Sequence, residues 1–509
     1  MADRVRIELQ PLGESFELER GTPLQDVLFA HGVEFPCGGR QRCKGCRVRV
    51  VQGEIPITAE QVLLLTREEL RAGWRLSCTA KAETDLTLEL GQWEAAILAD
   101  NSVFEFTPRE GLGVAVDLGT TTLVAQLLDL SNAHVLAVRS TLNLQASYGA
   151  DVMSRVSYAV KDEGHERLRI LARHQIGKLI NELLEAAGST GERINIVTIV
   201  GNTVMHHIFC GIDIAPLASY PFEPVRDGLE TFRASQLDWD LAGDPAVHFL
   251  PCLGGFVGSD ILAGILATRL DEGQALVGLV DLGTNGEIVI GNRERLVCAS
   301  TAAGPAFEGA RISMGMRAST GAISAVALRD GRLACHVLGN VEPRGICGSG
   351  LVDAVSAALD QGSIQPSGRL RDGAASRLEL APPVSLTQTD IRELQLAKGA
   401  IAAGIRLLLK RWGAEFNDLT CLYLAGAFGN YINRESARRI GLLNFPLELI
   451  KPAGNTALLG AKLALFNSQE VGFEYPTLRQ KTEHVTLNTE PEFQDVYVEE
   501  MVFPEAFAD

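Results

Sequence analysis

The sequence predicts a modular α/β protein: a small α+β head, then two half-domains of strands and helices laid out on one plan. Two observations carry the prediction. Val114-Ala-Val-Asp-Leu-Gly-Thr-Thr-Thr122 returns, altered, as Leu279-Val-Asp-Leu-Gly-Thr-Asn-Gly-Glu287, and Cys37, Cys43, Cys46 and Cys78 gather near the N-terminus at telling intervals. Between the two regions, residues 91–111 show no clear period and read as a linker. The expected division is a head at 1–90, a linker at 91–111, a first half-domain at 112–276 and a second at 277–509.

Composition bounds the rest. A chain of 509 residues has room for several domains with sizeable cores. Its apolar content of 46% and charged content of 21% are those of a soluble globular protein. No apolar run is long enough to span a bilayer, and Met1-Ala-Asp-Arg-Val-Arg lacks a signal core, so a cytoplasmic protein without export is expected. A net charge of −17 argues against nonspecific nucleic-acid binding. The head holds 12 Lys/Arg and 14 Asp/Glu, so nearly all of the acidic excess follows it. Cys210, Cys252, Cys298, Cys335, Cys347 and Cys421 are scattered and read as small buried hydrophobes.

In the head, Arg4–Leu9 and Glu14–Glu19 alternate apolar with polar and read as two strands. Thr22-Pro-Leu-Gln-Asp-Val-Leu-Phe-Ala-His31 reads as a helix capped by Thr22, with Pro23 at its first position. A strand is expected at Arg47–Val51 and a helix at Ala59–Arg71. Three thiolates in one loop plus a distant fourth can enclose a small metal cluster. The order Cys-x5-Cys-x2-Cys, with Cys78 32 positions later, resembles a [2Fe–2S] ferredoxin domain of β-grasp type; structural zinc and free thiols are the alternatives. Arg40, Arg42, Lys44, Arg47 and Arg49 surround this loop and are either a solvated basic surface or a docking face for an acidic partner.

From Leu112 the chain reads strand, turn, strand, then a third strand at Val135–Thr141, a long helix at Glu166–Ala187 and a buried strand at Ile194–Val200. The second half restarts at Val277 and carries an Ala/Leu-rich helix at Asp390–Trp412 before Leu422-Tyr-Leu-Ala-Gly-Ala-Phe-Gly-Asn430. In each half a β-rich run ends in Asp117 or Asp281, and a turn glycine, Gly119 or Gly283, lets backbone amides approach a phosphate. An Asp at that place is suited to hold a hydrated Mg²⁺ beside the phosphate. His206 and His207, being adjacent, point to different sides of a helix and read as core or surface histidines. Walker A, Gly-x-Gly-x-x-Gly and His-Glu-x-x-His sequences are absent.

Asp117-Leu-Gly-Thr, Asp281-Leu-Gly-Thr-Asn and Leu424-Ala-Gly-Ala-Phe-Gly resemble the two phosphate motifs and the adenosine motif of the superfamily uniting acetate and sugar kinases, heat-shock chaperones and actin. With the ferredoxin head, the whole chain is similar to the reductive activators of corrinoid proteins. Tyr148-Gly-Ala-Asp-Val, Gly201-Asn-Thr, Gly345-Ile-Cys-Gly-Ser-Gly, Ala397-Lys-Gly-Ala and Gly454-Asn-Thr-Ala-Leu-Leu-Gly support the likeness. Its cluster loop departs from the usual pattern, with Gln41 for a glycine and Lys44-Gly45 in reversed order.

The resemblance implies an actin-like (ASKHA) α/β fold of duplicated ribonuclease H-like halves that clamps ATP. Asp117 and Asp281 would hold Mg²⁺ through water, with Gly119, Thr120, Thr121, Thr122, Gly283, Thr284 and Asn285 at the β- and γ-phosphates. Gly348, Ser349, Gly350, Gly426 and Gly429 would cradle the α-phosphate and adenosine, and packing glycines are the alternative. Asn202 and Asp260 would orient the attacking water, and Cys37, Cys43, Cys46 and Cys78 would ligate the [2Fe–2S] cluster. The implied activity is ATP-dependent one-electron reduction of a corrinoid protein from Co(II) to Co(I), fed by an upstream electron donor, with a homodimer left open. ATP-driven electron delivery to another low-potential enzyme, such as a radical-forming dehydratase, and a redox-sensing ATP-binding scaffold are the competing readings.

Overall fold

A computed structural model describes residues 3–10, 14–30, 46–90 and 106–505, with 150, 162, 284, 310, 319–320, 339–340, 372–376 and 468–474 outside the described set. The head is a five-stranded sheet. Arg4–Gln10 and Glu14–Glu19 form an antiparallel hairpin, and Leu86–Leu90 returns parallel to Arg4–Gln10. Arg47–Gln52 and Trp74–Leu76 extend the sheet antiparallel beyond Leu86–Leu90. Ile7, Leu9, Leu88 and Val48 on the sheet pack with Leu24 and Leu28 of the helix Leu24–Ala30, forming the β-grasp core.

Two expectations in the head are corrected. Thr22 does not cap the helix: Thr22 and Pro23 pair with Ala82 and Lys81, and the Thr22 hydroxyl donates to the Glu19 carbonyl. The stretch read as one helix is two, Ala59–Leu64 and Arg67–Arg71. Thr66 breaks it, because its side chain accepts from the Glu69 amide while the Glu69 side chain accepts from the Thr66 amide, a reciprocal cap that restarts the chain. Two cations of the basic loop can be placed. Arg47 pairs with Glu69 and lies over Trp74, and Arg49 pairs with Glu89, while Arg40, Arg42 and Lys44 lie outside the described residues.

The two half-domain sheets share a topology. In the first, Leu112–Leu118, Thr122–Asp129 and His134–Leu142 run antiparallel in sequence; Ile194–Val200 then crosses over to lie parallel to the first strand, with Ala246–Phe249 beyond it. In the second, Val277–Leu282, Gly286–Gly291 and Leu296–Thr301 repeat the meander; Cys421–Ala425 lies parallel to Val277–Leu282, and Ile450–Gly454 lies beyond it. The added edge strands fall at opposite ends, Glu230–Arg233 beside the fifth strand of the first half and Thr482–His484 beside the third of the second.

Between the sheets run two helices, Ser259–Thr268 from the first half and Thr456–Asn467 from the second. Ala263, Ile265, Ala461, Ala464 and Leu465 share one core with Ala115, Val138 and Ile196 of one sheet and Leu279, Val289 and Cys298 of the other. The helices touch backbone to backbone, since a Cβ on Gly460 would lie 2.1 Å from the Ala263 carbonyl oxygen. Residues 91–105 of the expected linker lie outside the described set, and its end is anchored. Phe106 packs on Phe466 at 4.8 Å, and Arg109 donates to the carbonyl of Leu465. No helix among the described residues is long and apolar enough to cross a membrane.

Candidate functional site: a carboxylate cleft between the half-domains

The shared topology brings the two aspartate loops together. Asp117 lies opposite Val200 in the parallel ladder, so Gly201-Asn202 begins beside it. Asp281 lies opposite Ala425, so Gly426 begins beside it. Gly426 has φ +83°, and a Cβ there would stand 2.4 Å from an Asp281 carboxylate oxygen, so both conformation and space require glycine.

The two central helices reach the same place. Asn455, just before Thr456–Asn467, donates from Nδ2 to Asp117 Oδ2 at 2.8 Å, a bond across the two halves. Asp260, in the first turn of Ser259–Thr268, adds its charge to those of Asp117 and Asp281. Asp117, Asp260 and Asp281 are enclosed by protein while keeping part of their surface open to the cleft. Glu287, at the turn end of the second strand, is buried and accepts from Ser300 Oγ at 3.2 Å.

Four carboxyl groups thus share a poorly hydrated space, and burial and mutual repulsion disfavour their ionised forms. Burial pushes Asp117 up to about 6, held back by the Asn455 amide. Burial and the Asp117 charge push Asp281 up to about 7. Burial, Asp281 and Asp117 push Asp260 up to about 8. Burial, then Asp260 and Asp281, raise Glu287 well above the usual carboxylate range. Among the described residues no three acidic, cysteine or histidine side chains are spaced to grip a metal ion directly. Oxygen ligands of this kind could hold a cation through its water shell.

Gly201-Asn202-Thr203 and Gly454-Asn455-Thr456 perform one task at two places. Asn202 Oδ1 caps its helix by accepting from the Met205 amide, and Asn455 Oδ1 accepts from the Leu458 amide. Their Nδ2 groups then turn to the first loop, Asn202 to Thr120 Oγ1 at 2.8 Å and Asn455 to Asp117. Asn202 thereby positions the loop.

The remaining sequence candidates are placed as follows. Gly119 and Thr120 to Thr122 form the first turn; the Gly283 amide donates to the Asn285 carbonyl at 3.0 Å to close the second, whose Thr284 is outside the described residues. Gly348, Ser349 and Gly350 start the buried helix Gly348–Gln361, which carries no side-chain cap. Ser349 Oγ donates to the Ser324 carbonyl, and Gly348 and Gly350 sit against the carbonyls of Phe307 and Ile323, as packing glycines do. Gly429 packs near Leu424. His206 and His207 are wholly buried in the core, His207 Nδ1 against the Thr203 carbonyl and His206 Nε2 against the Gly228 carbonyl. Sequence reasoning gave no role to Glu287, Asn455, Asn143 or Arg155; the repeated Gly-Asn-Thr tripeptide was the available signal for Asn455.

In the head, Cys46 is buried and Cys78 half-buried in one core, and the Ser77 amide and hydroxyl both donate to the Cys46 carbonyl. These two hydrogen bonds draw the two cysteine segments together. Cys37 and Cys43 lie outside the described residues.

Comparison with known proteins covers nearly the whole chain. A 2Fe-2S iron-sulfur cluster binding domain matches residues 7–83, the RACo middle region residues 112–273, and the C-terminal ASKHA domain of RACo residues 275–509. The corrinoid activation enzyme RamQ of Eubacterium limosum is 33% identical over 443 residues, covering 80% of this chain and 74% of its own. The [Co(II) methylated amine-specific corrinoid protein] reductase of Methanosarcina barkeri is 28% identical over 429 residues, covering 77% of each. A solved reductive activator for corrinoid, iron-sulfur protein aligns with a TM-score of 0.69 at 26% identity over 98% of both chains.

Proposed function

This chain belongs to the family of reductive activators of corrinoid proteins, and on that premise we propose that it uses ATP to drive one electron onto a Co(II) corrinoid protein, restoring Co(I). The observation that carries the proposal is the convergence of Asp117, Asp260 and Asp281 from both halves on one cleft, in a chain that also carries a four-cysteine head. A [2Fe–2S] cluster held by Cys37, Cys43, Cys46 and Cys78 would supply a one-electron store.

Co(I) lies below the potential of typical ferredoxin clusters, so the transfer runs uphill. For one electron, roughly 59 mV corresponds to about 1.4 kcal/mol, and a deficit near 100 mV to about 2.3 kcal/mol. A nucleotide can offset this only by binding one conformation of the complex better than another. The cleft is suited to that. Its loops belong to different halves, its central helices meet through glycine and alanine, and burial disfavours the ionised form of its carboxyl groups. Asp117 and Asp281 would face a hydrated Mg²⁺, the turn amides and threonines the β- and γ-phosphates, and the amides starting Gly348–Gln361 the α-phosphate.

A direct test mixes cluster-loaded protein, a chemical reductant, MgATP and a Co(II) corrinoid protein and follows the optical spectrum. Co(I) should form with ATP and not without it. Equal spectra in the two samples would refute the proposal.

The carboxyl cluster also makes nucleotide binding pH-dependent. Their folded-state pKa values are raised, so their stabilising contribution is complete below about pH 4 and is lost as pH rises through about 6 to 8. The nucleotide-free protein should therefore lose stability across that window. A cation selects the ionised carboxylates, so MgATP binding at pH 6.5 should expel protons, and fewer of them as pH rises through the window. Calorimetry in buffers of different ionisation enthalpy measures this; zero proton release at pH 6.5 would contradict the assignment.

A further inference from the structure

The stretch between Asn143 and Arg155 lies beneath the first phosphate loop. Arg155 is wholly buried. Its Nη2 donates to the Thr120 carbonyl at 2.5 Å, its Nε to the Gly149 carbonyl at 2.9 Å and its Nη1 to Gln145 Oε1 at 3.2 Å. Gln145 is wholly buried too and is fixed by donating from Nε2 to the Leu168 carbonyl at 3.0 Å. Asn143 takes the neighbouring carbonyls, with Nδ2 donating to Gly119 and its backbone amide to Thr121, each at 2.9 Å. Three successive carbonyls of the loop are thus drawn to donors on a single platform.

The consequence follows from the peptide bond. In a trans peptide the carbonyl and the amide hydrogen of one unit point opposite ways. Fixing the Gly119 carbonyl aims the Thr120 amide away from the platform, and fixing the Thr120 carbonyl does the same for the Thr121 amide. Neither amide has an acceptor among the described residues. Paired amides turned outward from a loop form an anion-binding nest.

We propose that Arg155, with Asn143, is the positioning group that holds the Thr120 and Thr121 amides toward the terminal phosphates of ATP. This rests on the ATP reading above and goes beyond it by assigning the residues that shape the nest. The guanidinium touches neither nucleotide nor cation and acts through the peptide it holds. A lysine keeps the charge but cannot reproduce the planar fork that spans several acceptors.

The test measures MgATP and AMP binding to full-length cluster-loaded protein and to Arg155→Lys. MgATP affinity should fall about tenfold, the scale of one lost charge-assisted hydrogen bond. AMP affinity should stay within about twofold, because AMP lacks the phosphates the nest would hold. A merely structural role would weaken both nucleotides together. MgATP affinity unchanged in the variant, or equal losses for both nucleotides, overturns the proposal; a wild-type protein that fails to bind MgATP overturns the ATP reading instead. If Arg155→Lys does not fold, Asn143→Asp, which sets an acceptor against the Gly119 carbonyl, carries the same comparison. Collapse of both variants also overturns it, by showing that the platform holds the fold and not the nucleotide.

Discussion

Asp281→Asn is expected to cut ATP-dependent Co(I) formation by roughly 10²–10³, the scale of losing one preorganised electrostatic group in an enclosed site. Asn has nearly the shape of Asp, so the close approach of Gly426 to this side chain survives. What disappears is a charge that Asp260 and Glu287 also feel. Removing it relieves repulsion, so the same variant should be more stable than the parent at pH 8, by about 1 kcal/mol, while it loses activity. The opposed signs are the diagnostic, since a damaged fold would lower both. Melting curves at pH 8 beside the Co(I) assay decide. A variant that is less stable and equally active would show that Asp281 is an ordinary turn residue.

How much of this cleft was legible in the sequence depended on whether the signal was local. Asp117 and Asp281 stood out because a strand, an aspartate and a glycine turn occur twice within short windows. The shared sheet order follows from that duplication, and helix spans such as Gln388–Trp412 follow from strong periodicity. Asn455 could be quoted but not placed, because its partner Asp117 is 338 residues away. Glu287 was visible in the repeat, yet on a strand of alternating faces only the packing of Ser300 and Asp260 shows it to be part of the acidic cluster. Arg155 was hidden for the opposite reason, as a buried arginine in an amphipathic stretch looks like any surface arginine until its carbonyl partners are known. The errors in the head had different causes: Thr22 and Pro23 are drawn into pairing with Ala82 and Lys81, a distant partner, while Thr66 starts a second helix through a local reciprocal cap.

Cys78→Ser is expected to separate the two halves of the activity. Cys78 lies in the short turn Ser77–Thr79, and Ser77 ties that turn to the Cys46 carbonyl. Serine preserves the turn and the Ser77 bonds, so the β-grasp core of Ile7, Leu9, Val48 and Leu88 should stand. It replaces a soft thiolate with a hydroxyl that is protonated at neutral pH and a poor ligand for an iron–sulfur centre. The visible absorbance and the reduced-state paramagnetic signal of the cluster should be lost or strongly altered, and Co(I) formation should fall to background. MgATP binding, with its proton release at pH 6.5, should be unchanged, because Asp117 and Asp281 belong to other sheets and Asp260 to the helix Ser259–Thr268, all with cores separate from that of the head. Asp281→Asn gives the mirror result, with the cluster signal intact and the nucleotide response gone. If Cys78→Ser kept full electron delivery, the fourth ligand would have to be another residue. If it also abolished MgATP binding, head and cleft would be one cooperative unit, and the electron store could no longer be treated as a separate module that the nucleotide clamp drives.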